Sequence, residues 1–217
     1  MRITSLIDVD NTLLDNDAAK VEINRRLTAL LGSGETDQFW AAYEAVRAEL
    51  GVVDIPQTMA RALDGGAPLE KRIALADLFM CFPFRDFIYP GALDTLAFLK
   101  ARGPVVILSD GDPVFQVSKI TRSGLADLVD GQMLIYPHKE EHLLEIGAAF
   151  PADRYLLIDD KPTIIERFSA RAAELNGPLE TILVRQGKYA AEVPAGPWHG
   201  ATHTVASIAD IPAVLPL

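Results

Sequence analysis

The sequence predicts an α/β fold, a Rossmann-like parallel sheet core with an inserted α-helical cap subdomain, on three observations. Short apolar runs bounded by turn residues recur along the chain, and segments with helical apolar spacing lie between them. The first run is then separated from the second by roughly 70 residues with helical spacing only, too long for an ordinary crossover. The expected division is a core from residues 1–15 and 89–217 and a helical cap subdomain from 16–88.

Taken in order, Arg2 to Ile7 is an apolar run that ends in Asp8-Val9-Asp10, a buried strand with carboxylates at its C-terminal end. Helical spacing follows over Val21 to Leu31, Phe39 to Leu50 and Leu69 to Phe79, broken by Gly32-Ser33-Gly34 and Asp64-Gly65-Gly66. Ala92 to Arg102 carries Leu93, Leu96, Ala97 and Leu99 at helical spacing and stops at Gly103-Pro104. Four further strands are read at Pro104 to Leu108, Gln132 to Ile135, Arg154 to Ile158 and Thr181 to Val184, with right-handed crossovers between them.

Composition narrows the class. The 217 residues carry a formal charge of −10, and 49% are apolar, a globular balance. A chain of this size buries about 70% of its unfolded surface. The acid excess speaks against a nucleic-acid partner, because phosphate backbones repel it. It leaves room for a small anionic substrate in a locally positive pocket. The single cysteine, Cys81, forms no intramolecular disulfide and, between Phe79-Met80 and Phe82, is expected to be a buried structural thiol. No apolar run reaches the ~20 residues of a membrane span, and Asp8 and Asp10 interrupt any signal-like segment, so no membrane partner and a cytoplasmic location are expected.

Open α/β sheets bind ligands outside the carboxyl ends of their strands. The residues at those ends are Asp8 and Asp10, then Ser109, Asp110 and Asp112, then Asp159, Asp160 and Lys161, with Lys139 shortly after the third strand. Carboxylates crowded at one sheet edge repel and raise each other's pKa values, and a divalent cation removes that difficulty. Hard oxygen ligands suit magnesium. A hydroxyl and a lysine beside them describe a place for a transferring phosphoryl group.

Asp8-Val9-Asp10-Asn11-Thr12 resembles the DxDxT signature of the haloacid dehalogenase-like (HAD) superfamily. Ser109 resembles its second motif, Lys139 its third and Ile158-Asp159-Asp160 its acidic fourth, in the same order and over nearly the whole chain. The resemblance implies a phosphohydrolase with its cap between the first two motifs. It implies Asp8 as the nucleophile that forms an aspartyl-phosphate, and Asp10 as general acid and base, brought near by a kink after the strand. Ser109, Asp110 and Lys139 would hold the phosphoryl oxygens. Magnesium would be held by Asp8, the main-chain carbonyl of Asp10, Asp159 and Asp160, with Asp160 the direct ligand of the last pair. Two departures stand out: Glu140-Glu141 follows Lys139 where proline is common, and the fourth motif continues Asp-Asp-Lys-Pro.

Other residues receive plainer readings. Lys119, on the helix after Ser109, is expected to be dispensable. Lys161 either touches phosphate or pairs with Asp159. Asp112 caps the helix that starts at Pro113. His138 and His142 are four apart, but Lys139 stands where a zinc-binding HExxH needs glutamate. Asn16, Phe39, Trp40, Tyr43 and Arg47 are candidates for substrate selection, although the Trp40, Tyr43 and Arg47 stripe reads first as core packing. The function expected is a magnesium-dependent phosphatase acting on a small phosphorylated metabolite. The rivals are a phosphomutase of the same superfamily and a non-catalytic phosphate-binding protein.

Overall fold

The computed structural model describes residues 2–63 and 66–215, so the predicted break at Asp64-Gly65 lies outside the described residues. All five predicted strands form: β1 (Ile3–Ile7), β2 (Val105–Asp110), β3 (Met133–Tyr136), β4 (Arg154–Asp159) and β5 (Leu179–Val184). A sixth, β6 (His203–Val205), completes a wholly parallel sheet in the order β3-β2-β1-β4-β5-β6. β6 has only one buried apolar residue, Val205, and no run of its own. It is a strand because β5 pairs with it, Ile182 opposite His203 and Val184 opposite Val205.

Successive strand residues point to opposite faces, and two cores result. Ile7, Ile107, Ile158 and Ile182 face one core, and Leu6, Leu108, Leu157 and Leu183 face the other. Between β1 and β2 the described residues contain helices α1 (Asn16–Leu31), α2 (Ser33–Leu50), α3 (Ile55–Ala62) and α4 (Leu69–Met80), and no strand of more than an isolated bridge. α3 lies between the predicted segments; Asp54 caps it by accepting from the Gln57 N–H at 2.7 Å. Then come α5 (Ala92–Lys100) before β2, and α6 (Pro113–Ser123) and α7 (Leu125–Leu128) before β3. α8 (Leu143–Ala149), α9 (Pro162–Ala170) and α10 (Ile211–Val214) complete the chain. Among the described residues no helix is long and apolar enough to cross a membrane.

Two expectations about packing are corrected. α5 turns Ala92, Thr95, Leu96 and Leu99 inward, and Leu93 is exposed. Thr95 belongs inside because its hydroxyl donates to the Ile208 carbonyl at 2.9 Å, a partner supplied from far along the chain. Cys81 is exposed; the burial at this turn is taken by Phe79, Phe82 and Phe84 instead. A relay of rings, Phe39 to Phe79 at 5.2 Å, Phe79 to Phe115 at 6.0 Å and Phe115 to Phe84 at 5.9 Å, joins α2 and α4 to α6. Such pairs add about 0.5–1.5 kcal/mol each beyond their burial.

The closeness of β1 to the α5–β2 turn rests on one residue. A Cβ on Gly103, φ 155°, would meet the Ile3 carbonyl oxygen at 2.0 Å. Gly103→Ala should therefore destabilise the protein by roughly 2 kcal/mol or more, seen as a lower urea midpoint at unchanged slope. Gly34→Ala, which meets nothing within 4 Å on α2, should leave the midpoint unchanged or raised.

Candidate active site

β1 lies where the strand order reverses, with β2 on one side and β4 on the other, and the site gathers at the carboxyl ends of these three strands. The Asp8 N–H still donates to Ile158 O at 2.9 Å, after which the chain leaves the sheet. The Leu13 and Leu14 N–H groups return to Val9 O, the Asn11 N–H donates to Leu14 O, and Asn11 takes φ 60°. The chain thus turns sharply just after the strand, and the turn carries Asp10 toward α6. The turn is gripped from the segment after β5: a Cβ on Gly187 would sit 2.4 Å from Asn11 Cγ, and the Gln186 amide donates to Thr12 O at 3.2 Å.

The Lys139 ammonium is the hub. Fully buried, it lies 2.5 Å from Asp8 Oδ1 and 2.7 Å from Asp159 Oδ2, donates to Leu108 O at 3.2 Å, and has Asp110 Oδ2 at 3.9 Å. Burial opposes its charge, but Asp159, Asp8 and Asp110 outweigh that and hold its pKa well above the usual lysine value. The turn carrying it is locked from outside. Its N–H donates to Asp110 Oδ1 at 3.0 Å, and Glu140, buried, pairs with Arg167 of α9 at 2.6 Å. Glu140, which departs from the family pattern, thus anchors Lys139 to α9.

Asp10 does not share this environment: it is held by Lys119, the residue expected to be dispensable. Lys119 Nζ lies 2.5 Å from Asp10 Oδ1, and the Gln116 amide donates to Asp10 Oδ2 at 3.1 Å. Burial would raise the Asp10 pKa, yet Lys119 and Gln116 bring it below the ordinary carboxylate value. Lys119 is itself buried, walled by Phe84 and Phe115 at 5.5 and 5.6 Å. The sequence held a signal for this. Lys119 sits one turn from Phe115 and beside Ile120 on the face of α6 that must be buried, and a buried lysine needs a carboxylate.

The remaining predicted residues fall as follows. Ser109, buried at the end of β2, has only a 3.5 Å contact from its hydroxyl to the Asp110 carbonyl, so its donor is uncommitted. The Asp110 carboxylate is engaged with Lys139 and Lys161, so any hold on phosphate falls to its main chain rather than its side chain. Lys161 approaches Asp110 at 3.8 Å and not Asp159, whose Oδ1 accepts the Lys161 main-chain N–H at 2.9 Å. Asp112 caps α6, accepting from the Phe115 N–H at 2.7 Å. His138 and His142 make no metal group among the described residues; His142 stacks on Tyr136 at 4.0 Å.

A cavity of about 390 Å³ opens over these strand ends, lined by Asp10, Asp110 and Lys161 on one side and by Lys20, Trp40, Tyr43 and Arg47 of α1 and α2 on the other. The Trp40, Tyr43 and Arg47 stripe therefore lines the cavity, and its half-buried Trp40 and Tyr43 also pack against the core as expected. The core face of α2 is Thr36, Phe39, Ala42 and Val46, one residue out of phase with it.

A family model for haloacid dehalogenase-like hydrolases matches residues 4–141. The chain belongs to that family. This HAD-like hydrolase is similar to a haloacid dehalogenase-like hydrolase of Burkholderia xenovorans LB400, 37% identical over 98% of this chain and 96% of the other, with a TM-score of 0.86. It resembles more distantly the magnesium-bound HAD-hydrolase YfnB of Bacillus subtilis, 17% identical over 100% and 99% of the two chains, TM-score 0.64. The L-2-haloacid dehalogenase of Xanthobacter autotrophicus is 18% identical over 99% and 98%, TM-score 0.61. The last two likenesses carry the fold. No curated protein matches the sequence.

One feature of this hydrolase asks for a cation. Asp8, Asp159 and Asp160 each offer an oxygen within 4.8 Å of the others, all buried. Both carboxylate oxygens of Asp160 and Oδ2 of Asp8 lack any hydrogen-bond partner. Burial, then Asp159 and Asp8, push the Asp160 pKa from 3.8 up to about 9; burial also raises that of Asp8. An all-oxygen set with orphaned buried atoms fits a hard divalent ion such as magnesium.

With its pKa raised in the folded state, Asp160 binds a proton there that the unfolded chain has released, so metal-free stability should fall as pH rises from about 4 to about 9. Magnesium should raise Tm, and more at about pH 8 than at about pH 5. Asp160→Asn should flatten the metal-free pH dependence and abolish the magnesium shift. A magnesium shift that survives this substitution would place the ion elsewhere.

Proposed function

We propose that the protein is a magnesium-dependent phosphatase that hydrolyses a small phosphorylated metabolite through an aspartyl-phosphate on Asp8, with α1–α4 as its cap. The observation that carries this reading is the separation of two carboxylates two residues apart. Asp8 lies with Lys139 beside the orphaned oxygens of Asp160, and Asp10 lies apart with Lys119. One acid is placed beside a cation site, the other in a distinct proton-handling environment.

Asp8, Asp159 and Asp160 would hold the magnesium, which supplies the positive charge that lets an anionic phosphate approach carboxylates. The residues do the rest. Ser109 and Lys139 bind the phosphoryl oxygens. An Asp8 oxygen attacks phosphorus as the bond to the leaving oxygen breaks, and Asp10 gives its proton to that oxygen. Water then attacks phosphorus, its proton passes to Asp10, and the bond to Asp8 breaks to restore the carboxylate. Lys119 favours the ionised Asp10 that the second step needs. The charge of the arriving phosphate acts the other way and favours the proton the first step needs.

The distant dehalogenase likeness does not supply this chemistry. A departing halide takes no proton, so a dehalogenase would use Asp10 only to activate water in the second step, whereas a phosphate ester uses it in both.

Tests follow on the variants. Phosphatase activity should vanish with a chelator and return with magnesium, and a 2-haloacid should release no halide; the opposite pair of results would establish the dehalogenase. Asp8→Asn should fall to background and form no phosphoenzyme on rapid acid quench. Asp10→Asn should lose roughly 100- to 10,000-fold, less for a good leaving group. Lys119→Met should lower turnover by roughly tenfold or more and shift the acid limb of the rate–pH profile upward, because Asp10 then binds its proton more tightly. A silent Lys119→Met would show that the Asp10 contact is structural only.

A further inference from the structure

The mouth of the cavity carries positive charge that the phosphoryl chemistry does not use. Three cations at the cavity are paired: Lys119 with Asp10, Lys161 with Asp110 and Arg167 with Glu140. Lys20 of α1 and Lys188, just after β5, form no ion pair among the described residues. Each lies over aromatic rings instead. Lys20 Nζ is 4.2 Å from the Tyr43 ring centroid and 5.0 Å from that of Trp40, and Lys188 Nζ is 5.0 Å from Tyr189.

The platform under Lys20 is fixed. The Trp40 indole N–H donates to Asn24 at 2.7 Å, and the Trp40 and Tyr43 rings meet edge to face at 5.3 Å. Arg47 joins the cluster; its one carboxylate, Glu44, is exposed and 3.5 Å away. Asp17 also lines the cavity, but its Oδ2 accepts the Lys188 main-chain N–H at 2.8 Å. Burial, then the charges of Lys188 and Arg47, hold the Lys20 pKa below its usual value, partly offset by Glu44 and Asp17. A chain with a net charge of −10 thus brings like charges together at the entrance of its own cavity, at an electrostatic cost that an anion would reverse.

We propose that Lys20, Arg47 and Lys188 form a second anion subsite, so that the substrate is a phosphomonoester bearing a second anionic group, carboxylate or phosphate, at its far end. This rests on the phosphatase reading for the near end. The cavity of about 390 Å³ is of a size for one small ligand, and the same cavity is lined by Asp10 and Asp110 at its floor. The rings under Lys20 and Lys188 hold the ammonium groups in place without neutralising them, as carboxylates would.

The test compares a carboxyalkyl phosphate, its methyl ester and the matching alkanediol bisphosphate. Wild type should prefer the doubly anionic compounds over the ester by roughly tenfold or more in kcat/KM, less so as ionic strength rises. The better of the two names the second group. Lys20→Met/Lys188→Met should bring the preference close to one, and Lys20→Arg should retain it. No preference in wild type, or an equal loss on all three compounds in the double variant, would overturn the subsite. If wild type hydrolyses none of them, the phosphatase reading fails separately. Calorimetric titration with the bisphosphate then decides: binding at least roughly tenfold weaker in the double variant upholds the subsite, and equal affinity rejects it.

Discussion

The site depends on one buried ammonium. Lys139 meets the carboxylates of Asp8 and Asp159, which arrive from β1 and β4, while its own main chain is held by Asp110 from β2. Without that charge, two carboxylates would be buried side by side, each costing several kcal/mol. The strand ends can therefore converge only if the turn after β3 delivers the lysine. That explains the bracing of the turn, where Arg167 holds the Glu140 side chain and Arg171 donates to the Glu140 carbonyl at 2.9 Å.

Around this hub, similar acids acquire different characters from their surroundings. Asp160 has burial and two neighbouring acids and binds its proton tightly. Asp10 is half-buried, and an ammonium and an amide reverse the effect of that burial. The difference is made by α6, which the ring relay through Phe115 ties to α2 and α4. Packing between helices and the protonation of a single carboxylate are thus parts of one arrangement.

Much of this was legible in the residues alone. Five strands announced themselves because parallel strands buried on both faces must be apolar throughout. The strand-end acids, Ser109 and Lys139 were legible because α/β topology brings strand ends together whatever lies between them. What escaped was whatever depends on a partner supplied by tertiary structure. β6 exists through its pairing with β5, and Thr95 turns inward for the Ile208 carbonyl. Lys119 matches no motif in the sequence, and only the placement of its helix aims it at Asp10. The Trp40, Tyr43 and Arg47 stripe shows its second role only in the structure, because an aromatic face at helical spacing looks the same whether it covers a core, lines a cavity or, as here, does both.

The position of β1 has a consequence for how the protein is made. It is a central strand, yet its two neighbours pair with it only through residues near Val105 and Leu156. At roughly 5–20 residues per second of synthesis, β1 emerges and waits on the order of 5–20 s for its first partner and longer for its second. During that interval α1–α4 leave the ribosome. Their apolar faces, Ile23, Leu27, Phe39 and Phe79 among them, share a core with Ile7. The helical insertion is thus the first cover available to a strand that would otherwise stand bare on both edges, a guard for the nascent chain before it becomes a wall of the finished cavity.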